Sequence, residues 1–277
     1  MDELIDEVTP HLIPLAIGFV ATAIIVLIVN KATRTKGKRI EYHIGFFVAS
    51  SLFLLLIPEY FQSILFCPAG VLVIGTLIPI YESIKAAVSI DREDDVAWLQ
   101  FWLASGTFTY VTEWMDVVAE HYPSIAEHWY EFEFLTLLWL LLPFTDGSTF
   151  LFDKITGPLF GGMAERVKKK MESKMSLFMI IINSWFLWIM WFTFLTLDEE
   201  ARRFIVIAVG TVYPIAASTV ACTTRGSKDD TFWLTYWSCF SILFIMMDYL
   251  ENFIGKIRGF YSICLCVTVY LFLPMVR

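Results

Sequence analysis

Residues 94–102 read Asp-Asp-Val-Ala-Trp-Leu-Gln-Phe-Trp, and residues 229–237 read Asp-Asp-Thr-Phe-Trp-Leu-Thr-Tyr-Trp. The two stretches lie 135 residues apart. The same offset aligns Pro79-Ile80 with Pro214-Ile215, Ser83 with Ser218 and Ala86 with Ala221. It also pairs Glu113 with Asp248, Trp114 with Tyr249 and Asp116 with Glu251, and no gap is needed. Farther on, Leu140-Leu141-Leu142-Pro143 matches Leu271-Phe272-Leu273-Pro274 at an offset of 131, so the second copy has a shorter loop. Tryptophans, aspartates and a proline held in one register predict an internal duplication.

The surroundings of the repeat fix its solvent. Only 17% of residues are charged and 57% are hydrophobic, against roughly 25% charged in soluble domains. Mean hydropathy is +0.66. Too little polar surface is available to cover a water-soluble core, so lipid takes that place. A net charge of −8 argues against a nucleic-acid partner. The first apolar stretch follows Asp2, Glu3, Asp6 and Glu7, where a signal peptide carries positive charge.

Nine apolar segments run near 12–29, 44–57, 64–87, 97–117, 132–143, 177–197, 204–217, 232–250 and 260–273. A helix needs about 20 apolar residues to cross the hydrocarbon core. The first, sixth and eighth segments meet that length. Segments 44–57 and 132–143 do not, and must form re-entrant hairpins, thin the bilayer or pack inside the protein. The expected fold is an all-α integral membrane protein, with two tandem four-segment hairpin repeats and one extra N-terminal transmembrane helix. Its parts are residues 1–40 (N-terminus, first helix and basic loop), 41–152 (first repeat), 153–175 (linker helix) and 176–277 (second repeat).

Lys and Arg mark the cytosolic side. One cluster holds Lys31, Arg34, Lys36, Lys38 and Arg39, and a second holds Lys154, Arg166, Lys168, Lys169, Lys170 and Lys174. Four segments separate them, so both face the cytosol. The N-terminus is then lumenal and the C-terminus cytosolic. With an even number of segments per copy, the copies share one orientation and are related by an axis along the membrane normal. In the linker, Met163, Val167, Met171 and Met175 repeat every four residues opposite a basic face. That pattern suits a helix lying on an anionic leaflet.

The repeated residues have physical roles. Asp94, Asp95, Asp229 and Asp230 precede Trp-rich helices and are expected to cap them and complement their positive ends. Trp98, Trp102, Trp233 and Trp237 are expected at the headgroup boundary as membrane anchors. Pro79 and Pro214 fall late in their segments, where a kink or an early end is expected. Gly106, beside Ala104 and Ser105, offers close helix approach. Glu113 and Asp248 read as interfacial carboxylates or as contacts between the repeats, with an ion or proton site as the sharper alternative. His11, His43, His121 and His128 sit near segment ends and read as interfacial. Cys67, Cys222, Cys239, Cys264 and Cys266 show neither zinc spacing nor a secreted disulfide pattern. No nucleophile elbow, phosphate loop or zinc-helix signature occurs, so neither catalysis, cofactor nor metal is expected.

Residues 79–102, with Pro-Ile-Tyr-Glu-Ser-Ile-Lys-Ala, Asp-Arg-Glu-Asp-Asp and Trp-Leu-Gln-Phe-Trp, resemble the receptor-expression-enhancing / deleted-in-polyposis family. Glu113, Leu138-Trp139-Leu140-Leu141-Leu142-Pro143-Phe144 and Gly157-Pro158-Leu159 extend the resemblance. It is good over about 44–175 and partial over 176–274, where the second copy lacks the equivalents of Tyr81 and Lys85. The resemblance implies an endoplasmic reticulum protein whose short hairpins and amphipathic helix stabilise curvature by crowding the cytosolic leaflet. This chain departs from it by an added N-terminal segment and by fusing two units. Three functions follow: a membrane-shaping or membrane-organising protein, a scaffold subunit of a lipid-transfer complex, and a small transporter or channel. The implied partners are membrane lipids, together with a larger endoplasmic reticulum membrane complex or a homo-oligomer.

Overall fold

The computed structural model describes residues 40–54, 56–89, 92–122, 128–162, 185–223, 229–254 and 259–272. Segment 12–29 and the linker face of Met163, Val167, Met171 and Met175 lie outside the described residues. Among the described residues every regular element is helical. In chain order these are α1 (Ile40–Leu54), α2 (Glu59–Leu65), α3 (Pro68–Val88, with a π turn over Val73–Leu77), α4 (Arg92–His121) and α5 (Trp129–Leu141). They continue as α6 (Gly147–Leu151, followed by a π turn over Phe152–Thr156), α7 (Trp185–Thr196), α8 (Glu199–Thr223), α9 (Asp229–Ile254) and α10 (Phe260–Phe272).

Among the described residues, three helices are long and apolar enough to cross a membrane: α3, α8, and α9 over Asp229–Met247. The eighth segment has the spanning length read for it, and the third and seventh, not read as long enough, have it too. The seventh segment, read as 204–217, belongs to a helix of 25 residues. Of the sixth, the described part is the 12 residues of α7. The apolar pattern missed the start of α8 because its first turn is charged, and its end because Ser218 and Thr219 interrupt the apolar run. Asp198 accepts the Ala201 amide through Oδ1 at 2.9 Å and so caps that turn. Glu199 and Glu200 follow at the positive helix end.

The chain forms two compact units, one of residues 1–78 with 110–150 and the other of 79–109 with 151–277. In the first, α5 sits at the centre, with Phe134, Leu135, Leu137, Trp139 and Leu140 buried. It stops at Leu142, whose backbone is extended (φ −72°, ψ 123°) because Pro143 disfavours a helical residue before it. The last carbonyls of α5 then need donors. Thr145 donates its hydroxyl to Trp139 O at 2.6 Å, and Ser148 donates to Leu140 O at 2.5 Å. Gly147 is required there, since a Cβ would lie 2.4 Å from Trp139 O. At the π turn, a Cβ on Gly75 would lie 2.7 Å from Leu137 Cδ1, so α3 and α5 touch closely.

In the second unit α8 packs on α9 and α10 around Phe194, Val206, Ile207, Met247, Tyr261 and Cys264. Gly210 is the point of closest approach: a Cβ there would meet Phe240 Cε2 at 2.2 Å and Thr268 Cγ2 at 3.0 Å. Gly210 stands 135 residues after Gly75, and Thr268 stands 131 after Leu137. Each half therefore places a glycine of its long helix against the matching position of its last helix.

Of the kink or early end expected at Pro214, the early end does not occur, because α8 continues to Thr223. Proline lacks an amide hydrogen, so the carbonyl four residues back loses its helical donor. That carbonyl belongs to Gly210, and the Tyr236 hydroxyl donates to it at 2.6 Å. The neighbouring helix thus supplies what the proline cannot.

Candidate functional site

The repeated Asp-Asp…Trp…Trp stretches form the first turns of α4 and α9, and their geometry recurs as their sequence does. Trp102 donates its indole N–H to Ser83 Oγ at 2.8 Å, and Trp237 donates to Ser218 Oγ at 3.0 Å. In both cases 19 residues separate donor from acceptor, and both serines are fully enclosed. An indole N–H is donor-only and costs free energy if buried without an acceptor. The serine on the preceding helix meets that need twice.

The burial of this pair bears on the anchoring role read from sequence. Trp102, Trp233 and Trp237 are only 4%, 5% and 2% exposed, while Trp98 is half-buried. Three of the four tryptophans are thus enclosed by protein. Interfacial preference reflects a wet N–H beside an apolar ring, and the serines replace the water. Leu99 and Leu234, the equivalent residues between the tryptophans, are likewise fully buried.

All four aspartates lie in first helical turns, Asp94 and Asp95 in α4 and Asp229 and Asp230 in α9. Asp95 and Asp230 are buried. The Thr231 hydroxyl donates to Asp95 Oδ2 at 2.9 Å across 136 residues. The first turn of one copy is so bonded to the first turn of the other. Thr231 occupies the position equivalent to Val96, which has no hydroxyl, so sequence gives this bond no mirror image. Deeper in, a Cβ on Gly106 would lie 3.3 Å from Trp237 Cη2. The small residue expected to allow close approach admits the tryptophan of the other copy.

The remaining expected residues are dispersed. Glu113 is half-buried on α4, and the side chain of Asp248 is outside the described residues. His43, expected at an interface, is instead buried: its Nδ1 accepts the Trp139 indole N–H at 3.1 Å, and Phe150 lies 4.0 Å from its ring. Because indole only donates, that nitrogen carries no proton. No sequence signal marks this pair, which spans 96 residues, and the residues aligned with it in the second copy are Phe178 and Tyr270. His128 meets Glu131 at 3.1 Å in an exposed pair, a type worth little. Among the described residues, no three His, Cys, Asp or Glu gather as a metal site requires.

Outside these cores the surface is strongly apolar. Trp185, Trp188, Ile189, Met190, Phe192 and Leu195 are all exposed on α7, far beyond the apolar patches a soluble monomer tolerates. Helices of this composition and length define an α-helical membrane protein.

The sequence model of the TB2/DP1, HVA22 family matches residues 79–159 and 214–277. The two matches start 135 residues apart and together take in more than half of the chain, consistent with duplication. The chain belongs to the TB2/DP1, HVA22 family. It is similar to Protein YOP1 of Mycosarcoma maydis, 32% identical over 87 residues that make up 31% of this chain and 48% of that protein. Receptor expression-enhancing protein 1 of Mus musculus is 32% identical over 97 residues, 35% of this chain and 46% of the relative. Receptor expression-enhancing protein 4 of Mus musculus is 33% identical over 92 residues, 33% of this chain and 34% of the relative. The matched stretch thus spans half or less of each relative's length. No solved structure matches.

Proposed function

We propose that this protein shapes or organises the endoplasmic reticulum membrane, without catalysis, through two fused copies of a hairpin unit. The observation that carries this reading is the unequal length of the helices. The inner helices of each half are long, 21 and 30 residues in α3 and α4, and 25 and 26 in α8 and α9. The flanking helices α1, α5 and α10 hold 15, 13 and 13 residues. At 1.5 Å per residue, 13 residues reach about 20 Å, short of a hydrocarbon core about 30 Å thick.

Basic clusters precede α1, at Lys31–Arg39, and follow α6, from Lys154 onward. Short helices that start from that basic, cytosolic side add volume to the cytosolic leaflet and leave the far leaflet less filled. A bilayer with one leaflet expanded bends so that this leaflet lies on the convex side. The helix from Met163 to Met175 adds to the same leaflet. In this reading the buried tryptophans, Gly106 and the Asp95–Thr231 bond hold the copies as a fixed pair, and the exposed aromatics of α7 face acyl chains. The family resemblance and the two matches of the family model support it. Reconstitution into liposomes at rising protein-to-lipid ratio tests it: tubules or small vesicles are expected, and vesicles that stay large and spherical contradict it.

A further inference from the structure

We infer that α5 is a proton-sensitive wedge: with the Glu133 carboxyl group neutral its first turns stay packed below the membrane surface, and on ionisation they are drawn towards far-side water. The inference deepens the reading above and rests on it for the depth at which α5 begins. Anchored at its cytosolic end, a helix of 13 residues reaches about 20 Å, so its start falls short of the far surface of a core about 30 Å thick. Glu133 sits in that first stretch, half-buried and one turn before Leu137. Residues four apart share a helix face, and Leu137 is the residue that fits against Gly75 of α3. Glu133 thus lies on the face packed on α3, and Phe134 beside it is buried, with its ring 5.1 Å from that of Phe66.

The chain offers that carboxyl group no fixed positive charge. It carries no lysine or arginine from Ile40 to Ile84 or from Glu93 to Asp153. The stretch Pro68–Leu77, packed on α5, has no ionisable side chain. The start of α1 brings Glu41, Tyr42 and His43 to the opposite end of α5, where His43 is bonded to Trp139. On α2 stand Glu59 and Tyr60, and on the last turns of α4 Glu113, Asp116, Glu120 and His121. On α5 itself Glu131 is taken by His128. Glu133 makes no hydrogen bond or ion pair with a described residue, and burial alone pushes its carboxyl up to about 7, because enclosure disfavours the charged form. The stability this group contributes is therefore present below the ordinary value of 4.5 and is lost as pH rises through about 7. At the aligned place the second copy has the buried thiol of Cys264, so α10 lacks the switch.

The test uses the full chain with its five cysteines replaced, in flat lipid nanodiscs, so that depth is read independently of any bending. A fluorophore insensitive to pH is attached at Tyr130→Cys, where the native side chain is 41% exposed. Between about pH 5.5 and 8.5, quenching by aqueous iodide should rise severalfold while quenching by doxyl groups on the acyl chains falls, with a midpoint at about 7. Glu133→Gln keeps the neutral shape and should hold the label at its acid value throughout, whereas His121→Gln, His128→Gln and Glu131→Gln should leave the response in place. A label indifferent to pH overturns the inference, as does a response that survives Glu133→Gln or is lost with a histidine. Where the cysteine-free chain does not fold, the melting temperature of the native sequence in detergent is the readout. It should rise, as pH falls over the same range, by more than that of Glu133→Gln, and an equal rise in both overturns the inference. If vesicles fail to bend yet the label follows Glu133, the shaping function falls and the proton-sensitive helix stands.

Discussion

Pro79 and Pro214 occupy the same place in the two copies, and the protein accommodates them differently. In α3 the helix widens into a π turn over Val73–Leu77 directly before the proline, and the Ile78 amide bonds Val73 O five residues back. Such a turn respaces the carbonyls that a proline would otherwise strike. In α8 the helix stays regular through Pro214, and Tyr236 supplies the missing donor to Gly210. The residue equivalent to Tyr236 is Phe101, which has no hydroxyl to give. One oxygen atom on α9 thus accompanies a regular helix, and its absence from α4 accompanies a distorted one. Both answers belong to the small set open to a proline inside an apolar helix, namely local π adjustment or a donor from a neighbouring helix.

The comparison can be broken most forcefully at the glycines. Gly210→Ala drives a Cβ to 2.2 Å from the rigid Phe240 ring, so we expect a loss of about 1–3 kcal/mol, read as a fall in the detergent melting temperature. Gly75→Ala meets only the flexible end of Leu137 and regains helix propensity of about 1 kcal/mol, so it should be close to neutral. Equal losses at the two sites would contradict the packing described for them.

Next in size is Tyr236→Phe, which leaves the Gly210 carbonyl without its donor and should cost about 1–3 kcal/mol. The cost should largely vanish in a Pro214→Ala background, where the restored amide bonds Gly210. Additive effects in that double-mutant cycle would show that the hydroxyl does not stand in for the amide.

Ser83→Ala and Ser218→Ala each orphan a buried indole N–H, with expected losses of about 1 kcal/mol apiece. Near-equality of the two, measured by chemical denaturation, is what the repeated geometry requires; a clear inequality would separate the copies energetically. The smallest effect is expected from Thr231→Val, which removes the hydroxyl bonded to Asp95 and makes the second copy resemble the first. A loss of about 0.5–1 kcal/mol is expected for this partly exposed bond, and no loss would mean that the Asp95 bond contributes nothing to pairing.

The repeat was legible because identical needs produced identical residues at one offset: glycine, proline, serine, aspartate and tryptophan each meet a specific steric or bonding demand. The pairing of those residues was not. Ser83 and Trp102 align with Ser218 and Trp237, yet nothing in a 19-residue spacing says that hydroxyl and indole meet around the intervening turn. Tryptophan at a helix start was read as a lipid anchor on its average preference, and nothing in the sequence says that the indoles of Trp102 and Trp237 meet a serine. The start of α8 escaped because hydropathy discards Glu199, Glu200, Arg202 and Arg203, although they form regular helix under the Asp198 cap. His43 and Trp139 were invisible as a pair, since sequence separation on this scale leaves no periodic trace.

Curvature sorting tests the central claim most directly. With the labelled protein in giant vesicles and a narrow membrane tether drawn from them, protein density is compared between tether and vesicle at matched lipid signal. Helices that fill one leaflet more than the other predict severalfold enrichment in the tether, rising as the tether narrows. Equal density at every tether radius would contradict the account.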